Sequence, residues 1–198
     1  APMFQTTKPM SLRQLYEASP LGVVGIFMLG GIFAALFGMT AVYGTQVGMT
    51  VGEISVFVGM IYVGGMLLQF PIGWVSDRMD RRLLIIGVTF LGGVSTLVAF
   101  SAPGNFTIVL ICSFFIGGAA NPLYSLLLAY TNDFLEHDDM AAASGGLIFI
   151  NGIGAIAGPL VVGALMAQFG PNSFFLYIGA LMFAVSVYAF YRTFRREA

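Results

Sequence analysis

Charge is scarce in this sequence. Charged side chains make up 9% of 198 residues, against about a quarter in an ordinary soluble domain. Four stretches carry none: 18–52, 54–76, 83–132 and 140–191. With 58% hydrophobic residues, such gaps leave too little polar surface to cover a water-soluble fold, which excludes one. There is one cysteine, Cys112, so no disulfide can form within the chain and the residue reads as packing. The only histidine, His137, lies among Asp133, Glu136, Asp138 and Asp139; acids this close together on a loop are a weak metal spacing, and no metal or cofactor is expected. A net charge of −1 lacks the basic footprint of a nucleic-acid binder, so no nucleic-acid partner is expected. The first twenty residues are polar and interrupted by proline, unlike a signal peptide. A chain that opens Ala-Pro is expected to be a processed product or an excised fragment.

What the chain does contain is apolar length. A spanning helix needs roughly 20 apolar residues, so the charge-free windows hold one, one, two and two. Ala102-Pro-Gly-Asn105 and Gln168-Phe-Gly-Pro-Asn172 cut the two longest, because proline and glycine together mark reversals. The expectation is an all-α membrane protein with six helices at about 21–43, 54–75, 83–101, 106–130, 141–167 and 173–191. A lead at 1–20 and a tail at 192–198 flank the bundle. Within the lead, Ser11 and Gln14 have capping-box spacing ahead of Leu12, Leu15 and Tyr16. The segment reads as a short interfacial helix or as a plain linker. With six crossings, Lys8, Arg13, Arg78, Arg81, Arg82, Arg192, Arg195 and Arg196 all fall on one side, which the positive-inside rule makes cytoplasmic for both termini.

Polar side chains inside the spans are few. Gln69, Asn121, Tyr124 and Asn151 are the candidate lining of a substrate cavity, and such a lining suits a neutral or amphiphilic molecule better than an ionic one. Asn121 precedes Pro122 and follows Gly117-Gly-Ala-Ala120, a small-residue patch with a kink. No Asp, Glu, Lys, Arg or His lies within the expected spans, so a proton relay is expected elsewhere.

Five charges are packed into Gly73–Arg82, Gly-Trp-Val-Ser-Asp-Arg-Met-Asp-Arg-Arg, a tight turn between two spans. Its Gly73, Asp77, Arg78, Arg81 and Arg82 match the Gly-x-x-x-Asp-Arg-x-Gly-Arg-Arg loop, with Asp80 in place of glycine. Gly154-x-x-x-Gly158-Pro159 with Gly163 resembles the Gly-Pro motif of a fifth helix, Val162 standing for a further glycine. On these two motifs the chain resembles the major facilitator superfamily over its whole length. The stretches Tyr130-Thr-Asn-Asp133 and Ala143-Ser-Gly-Gly146 are similar to uncharacterised bacterial members of its YcaD-like branch. The resemblance implies a six-helix half, built as two inverted three-helix repeats, of a non-enzymatic secondary transporter in the bacterial inner membrane. It implies a partner half, in the same polypeptide or as a second copy, and a small-molecule substrate that the residues do not name. The lead at 11–20 and the lack of a basic residue near Ser113 point to a carboxy-terminal half. By the same resemblance the charged turn is a conformational latch. Asp77 faces a helix of the other half, and Arg81 or Arg82 pairs with Asp133 or Glu136.

Two other classes have six helices of this kind. An intramembrane serine protease needs a histidine base within the bundle, and His137 lies outside it. A self-assembling six-helix module, homodimer or scaffold, is the alternative function.

Overall fold

The computed structural model describes residues 10–195, with only the backbone at Arg195. Lys8, Arg196 and the Arg195 side chain, counted above among the basic residues of one side, lie outside the described residues, as do 1–9 and 196–198.

Helix boundaries follow local capping chemistry. α1, Leu12–Ala18, starts where the Ser11 hydroxyl accepts from the Gln14 amide at 3.3 Å and the Gln14 side chain accepts from the Ser11 amide at 2.9 Å. Ser19 then accepts from the Gly22 amide, and Pro20 fills the first helical position, where no N–H is needed. Together they start α2, Pro20–Gln46, three residues longer than the expected end at 43. Within α2, Ala34–Met39 widens to a π-helix, which breaks the regular α pitch in mid-span. Gly48 turns the chain at φ +79°, a conformation open mainly to glycine.

α3 runs Val51–Ser76 and begins three residues earlier than expected because Thr50 and Glu53 close a capping box. Glu53 is therefore in the first turn, where a carboxylate meets the positive end of the helix dipole. α4, Arg81–Ser101, α5, Phe106–Asn132, α6, Met140–Phe169, and α7, Ser173–Arg195, complete the bundle. A 3-10 turn at His137–Asp139 leads into α6. Among the described residues there is no strand, and six helices are long and apolar enough to cross a membrane.

α3 packs chiefly on α5, and α2 on α6; α4 packs on α7 and α5, and α2 also touches α7. Glycines set the two closest crossings. A Cβ at Gly64 would land on the Phe114 carbonyl and one at Gly117 on the Ile61 carbonyl; Gly30 and Gly154 stand in the same relation to Asn151 and Phe27. In lipid, where apolar burial drives no association, such backbone contact supplies much of the packing energy. Thr89, Ser95 and Ser113 donate back to carbonyls one turn earlier in their own helices, which disposes of their polarity.

The two ends of the bundle differ. One is closed by aromatic stacking: Tyr43 lies 5.1 Å from Phe174 and 5.0 Å from Phe175 between ring centroids. The other gathers the charges. There Thr131 donates to Ser19 at 3.2 Å, both buried, and Leu15 of α1 is seated against Gly146 of α6.

Candidate functional site: the charged turn and its cleft

Asp77 is the C-cap of α3, its amide donating to Gly73 O. A carboxylate at this position meets the negative end of the helix dipole. It is exposed and forms no ion pair among the described residues. Arg78 folds back, its Nη1 donating to Trp74 O at 2.8 Å and its guanidinium lying 4.0 Å above the Trp74 ring. Arg81 Nη1 donates to both oxygens of Asp133, at 2.5 and 2.6 Å, which ties the start of α4 to the end of α5. The two side chains are 28% and 43% exposed, so water screens the pair. Arg82 lies 5.9 Å from the Tyr130 ring. Glu136 is exposed and, among the described residues, in no ion pair. Of the four pairings open to Arg81 or Arg82 with Asp133 or Glu136, the structure brings together one.

Asp80, which departs from the glycine of the resembled loop, has a local role. Its carboxylate accepts from the Arg82 amide at 2.8 Å and caps α4. Its φ is −57°, so the turn does not require glycine. Its signal in the sequence is an aspartate just before a helical run, a preferred N-cap.

Between α3 and α5, beside the turn, lies an open cleft of about 370 Å³ whose lining includes Gln69, Gly73, Asp77, Arg81, Pro122 and Ser125. Gln69 is exposed into it, seven residues or about 10 Å of helix rise from the end of α3. The other three cavity candidates are placed elsewhere. Asn121 donates to Gly117 O at 2.9 Å within its own helix and fills the space left by Gly65 of α3. Asn151 donates to Ile26 O at 3.1 Å and so binds α6 to α2. Tyr124 is half-buried against the apolar core. Of the four, Gln69 is the one in the lining of this cleft. An amide beside a glycine-rich crossing finds a backbone partner there, and a list of polar residues carries no record of which helix face each occupies. Ser125, one turn beyond Asn121, supplies the cleft's polar group on α5. Arg81 Nε, Arg82 Nε and Asn132 Oδ1 are buried without a hydrogen-bond partner among the described residues.

The Gly-Pro motif faces α2. Cβ atoms at Gly154 and Gly158 would meet backbone of Phe27 and Gly31, the second at 3.0 Å from Gly31 O. Gly163 sits more loosely, since a Cβ built there would lie 3.6 Å from the Met39 methyl, and Pro159 lies within α6 without ending it.

Six membrane-length helices, glycine-set crossings and a charged turn beside a polar cleft are the features of a membrane transporter fold, and the family profile of the Major Facilitator Superfamily matches residues 21–198. The chain belongs to that superfamily and is a multi-pass integral membrane protein of the bacterial inner-membrane kind. It is 28% identical over 182 residues to the Uncharacterized MFS-type transporter YcaD of Escherichia coli O9:H4 (strain HS), covering 90% of this chain and 45% of that protein. The YcaD protein of E. coli strain K12 / DH10B gives the same figures. The chain thus spans somewhat under half the length of the curated relatives it matches. Among solved structures it is similar to the crystal structure of an auto inhibited POT family peptide transporter, with a TM-score of 0.76, 15% identity, and coverage of 91% of this chain and 37% of that one. At that identity the likeness is one of fold.

Proposed function

We propose that the chain is one six-helix half of a secondary active transporter that moves a small molecule by alternating access, with Gly73–Arg82 as the latch between halves. The observation that carries this reading is the cleft. Gln69, Ser125 and Asp77 are polar groups on an open face of a membrane bundle, and hydrocarbon is a poor neighbour for them. They call for water or a second protein surface. α3, which forms one wall of the cleft, agrees: only 22% of its spanning stretch is buried. Asp77 at the negative end of its own helix suits a helix N-terminus offered from outside the chain.

The pairing pattern supports two inverted three-helix repeats. Exchanging α2-α3-α4 with α5-α6-α7 turns the α2–α6 contact into α5–α3, and α4–α5 into α7–α2, all of which are present. Arg13, Arg78, Arg81, Arg82 and Arg192 cluster at one end, which supports a cytoplasmic placement for that end, for α1 before the bundle and for the tail after it. The partner half belongs to the same polypeptide or is a second copy. α1 fits the approach to a carboxy-terminal half. Gln69 and Ser125 suit a neutral or amphiphilic substrate. The test is turnover of the intact transporter in membrane vesicles: Asp77→Asn is expected to lower it sharply, and unchanged turnover sinks the latch.

A further inference from the structure

On the face of α3 next to the polar cleft, with Ile72 shared between the two, the surface is of the opposite kind. α3 and α4 diverge there to leave an open, almost wholly apolar groove of about 430 Å³ with Pro71 and Val75 on one wall, Leu84, Gly87 and Leu91 on the other, and Phe115 of α5 at its floor. Residues 84, 87 and 91 share one helix face, so the groove follows α4 for about 10 Å. Gly87 leaves it open, since a Cβ built there meets nothing within 4 Å. Met79, in the charged turn, closes one end. Next to it Arg78 lies over Trp74, forms no ion pair among the described residues, and is exposed. An aromatic ring and a basic head at the end of an apolar span is the chemistry of the headgroup level.

We propose that this groove is a binding site for one phospholipid, with an acyl chain lying between α3 and α4 and the phosphate held by Arg78. The groove opens sideways between two spanning helices, so the medium that reaches it is the bilayer. Its apolar walls suit a chain, and Arg78 is the cation at the level where a phosphate lies. The inference rests on the chain's crossing a membrane and on the partner half of the transporter reading covering the cleft and leaving this groove to the bilayer.

The test is native mass spectrometry of the intact polypeptide that contains this chain, with phosphatidylglycerol and with diacylglycerol of the same chains. One retained phospholipid is expected. Gly87→Phe, which fills the groove, is expected to lower retention more than tenfold. Gly59→Phe, also at a glycine with nothing within 4 Å but outside the groove, is expected to leave it unchanged. Arg78→Gln is expected to weaken phosphatidylglycerol about fivefold, as for one basic residue near a headgroup, and to leave diacylglycerol unaffected. Equal retention by Gly87→Phe and the parent overturns the proposal, as does an equal loss with Gly59→Phe. A measurement without substitutions guards against misfolding. Trp74 is the only tryptophan of these 198 residues, and its fluorescence in detergent is expected to be quenched saturably by phosphatidylglycerol brominated on the acyl chain. Quenching that rises linearly with lipid overturns the site.

Discussion

Replacing Gly154 by alanine adds one methyl group at the tightest part of the α2–α6 crossing. The added Cβ would fall on the Phe27 carbonyl oxygen, about 3.0 Å from its carbon and 3.2 Å from Gly31 N. All three atoms are backbone, so no side chain can swing aside and the helices must separate. Overpacking of this kind costs about 1–3 kcal/mol. Separation also stretches the Asn151–Ile26 hydrogen bond one turn away, an interhelical bond worth roughly 0.6 kcal/mol in a membrane protein. The comparison is Gly152→Ala on the same helix, where a Cβ meets nothing within 4 Å and the change is expected to be neutral or slightly stabilising. Equilibrium unfolding in one detergent measures both. Gly154→Ala should be less stable than Gly152→Ala by about 2–3 kcal/mol, and a difference under about 0.5 kcal/mol would refute backbone contact as the basis of this crossing.

Other substitutions probe single contacts. Asp80→Ala should lose about 1 kcal/mol by removing the α4 cap, while Asp80→Gly should lose only a few tenths; equal losses in unfolding assays would deny the cap. A double-mutant cycle on Arg81→Gln and Asp133→Asn should give a coupling below about 1 kcal/mol, because the pair is partly exposed. A coupling of several kcal/mol would mean the pair is shut away from water. Asn151→Ala should destabilise without changing substrate preference in vesicle uptake, because its amide is engaged by α2; a changed preference would return it to the cavity lining.

Spans were legible because lipid imposes a simple rule: a helix of about 20 apolar residues with its charges at the ends. Glycine-proline turns at 102–105 and 170–171 marked reversals for the same local reasons that Gly104 and Gly170 take positive φ. Boundaries set by side-chain caps, at Thr50 with Glu53 and at Asp80, were blurred wherever a charge count treated an acid as loop. The π segment at Ala34–Met39 has no proline or polar signal to announce it. Placement of the cavity candidates depended on helix rotation. Gln69 and Asn151 read alike in sequence, yet one faces an open cleft and the other a neighbouring carbonyl. Alternation around a helix that is apolar on all sides leaves no stripe from which to read its inward face.

The most direct test of the latch between two halves is the accessibility of the cleft. A cysteine at Ser125, in the intact polypeptide with the buried Cys112 replaced by alanine, can be titrated with a membrane-impermeant maleimide from the side of the charged turn. If Asp77 holds the cleft shut against a partner helix with about 0.5–1 kcal/mol, Asp77→Asn should raise the labelling rate about two- to fivefold. Equal rates in the two proteins would contradict the account.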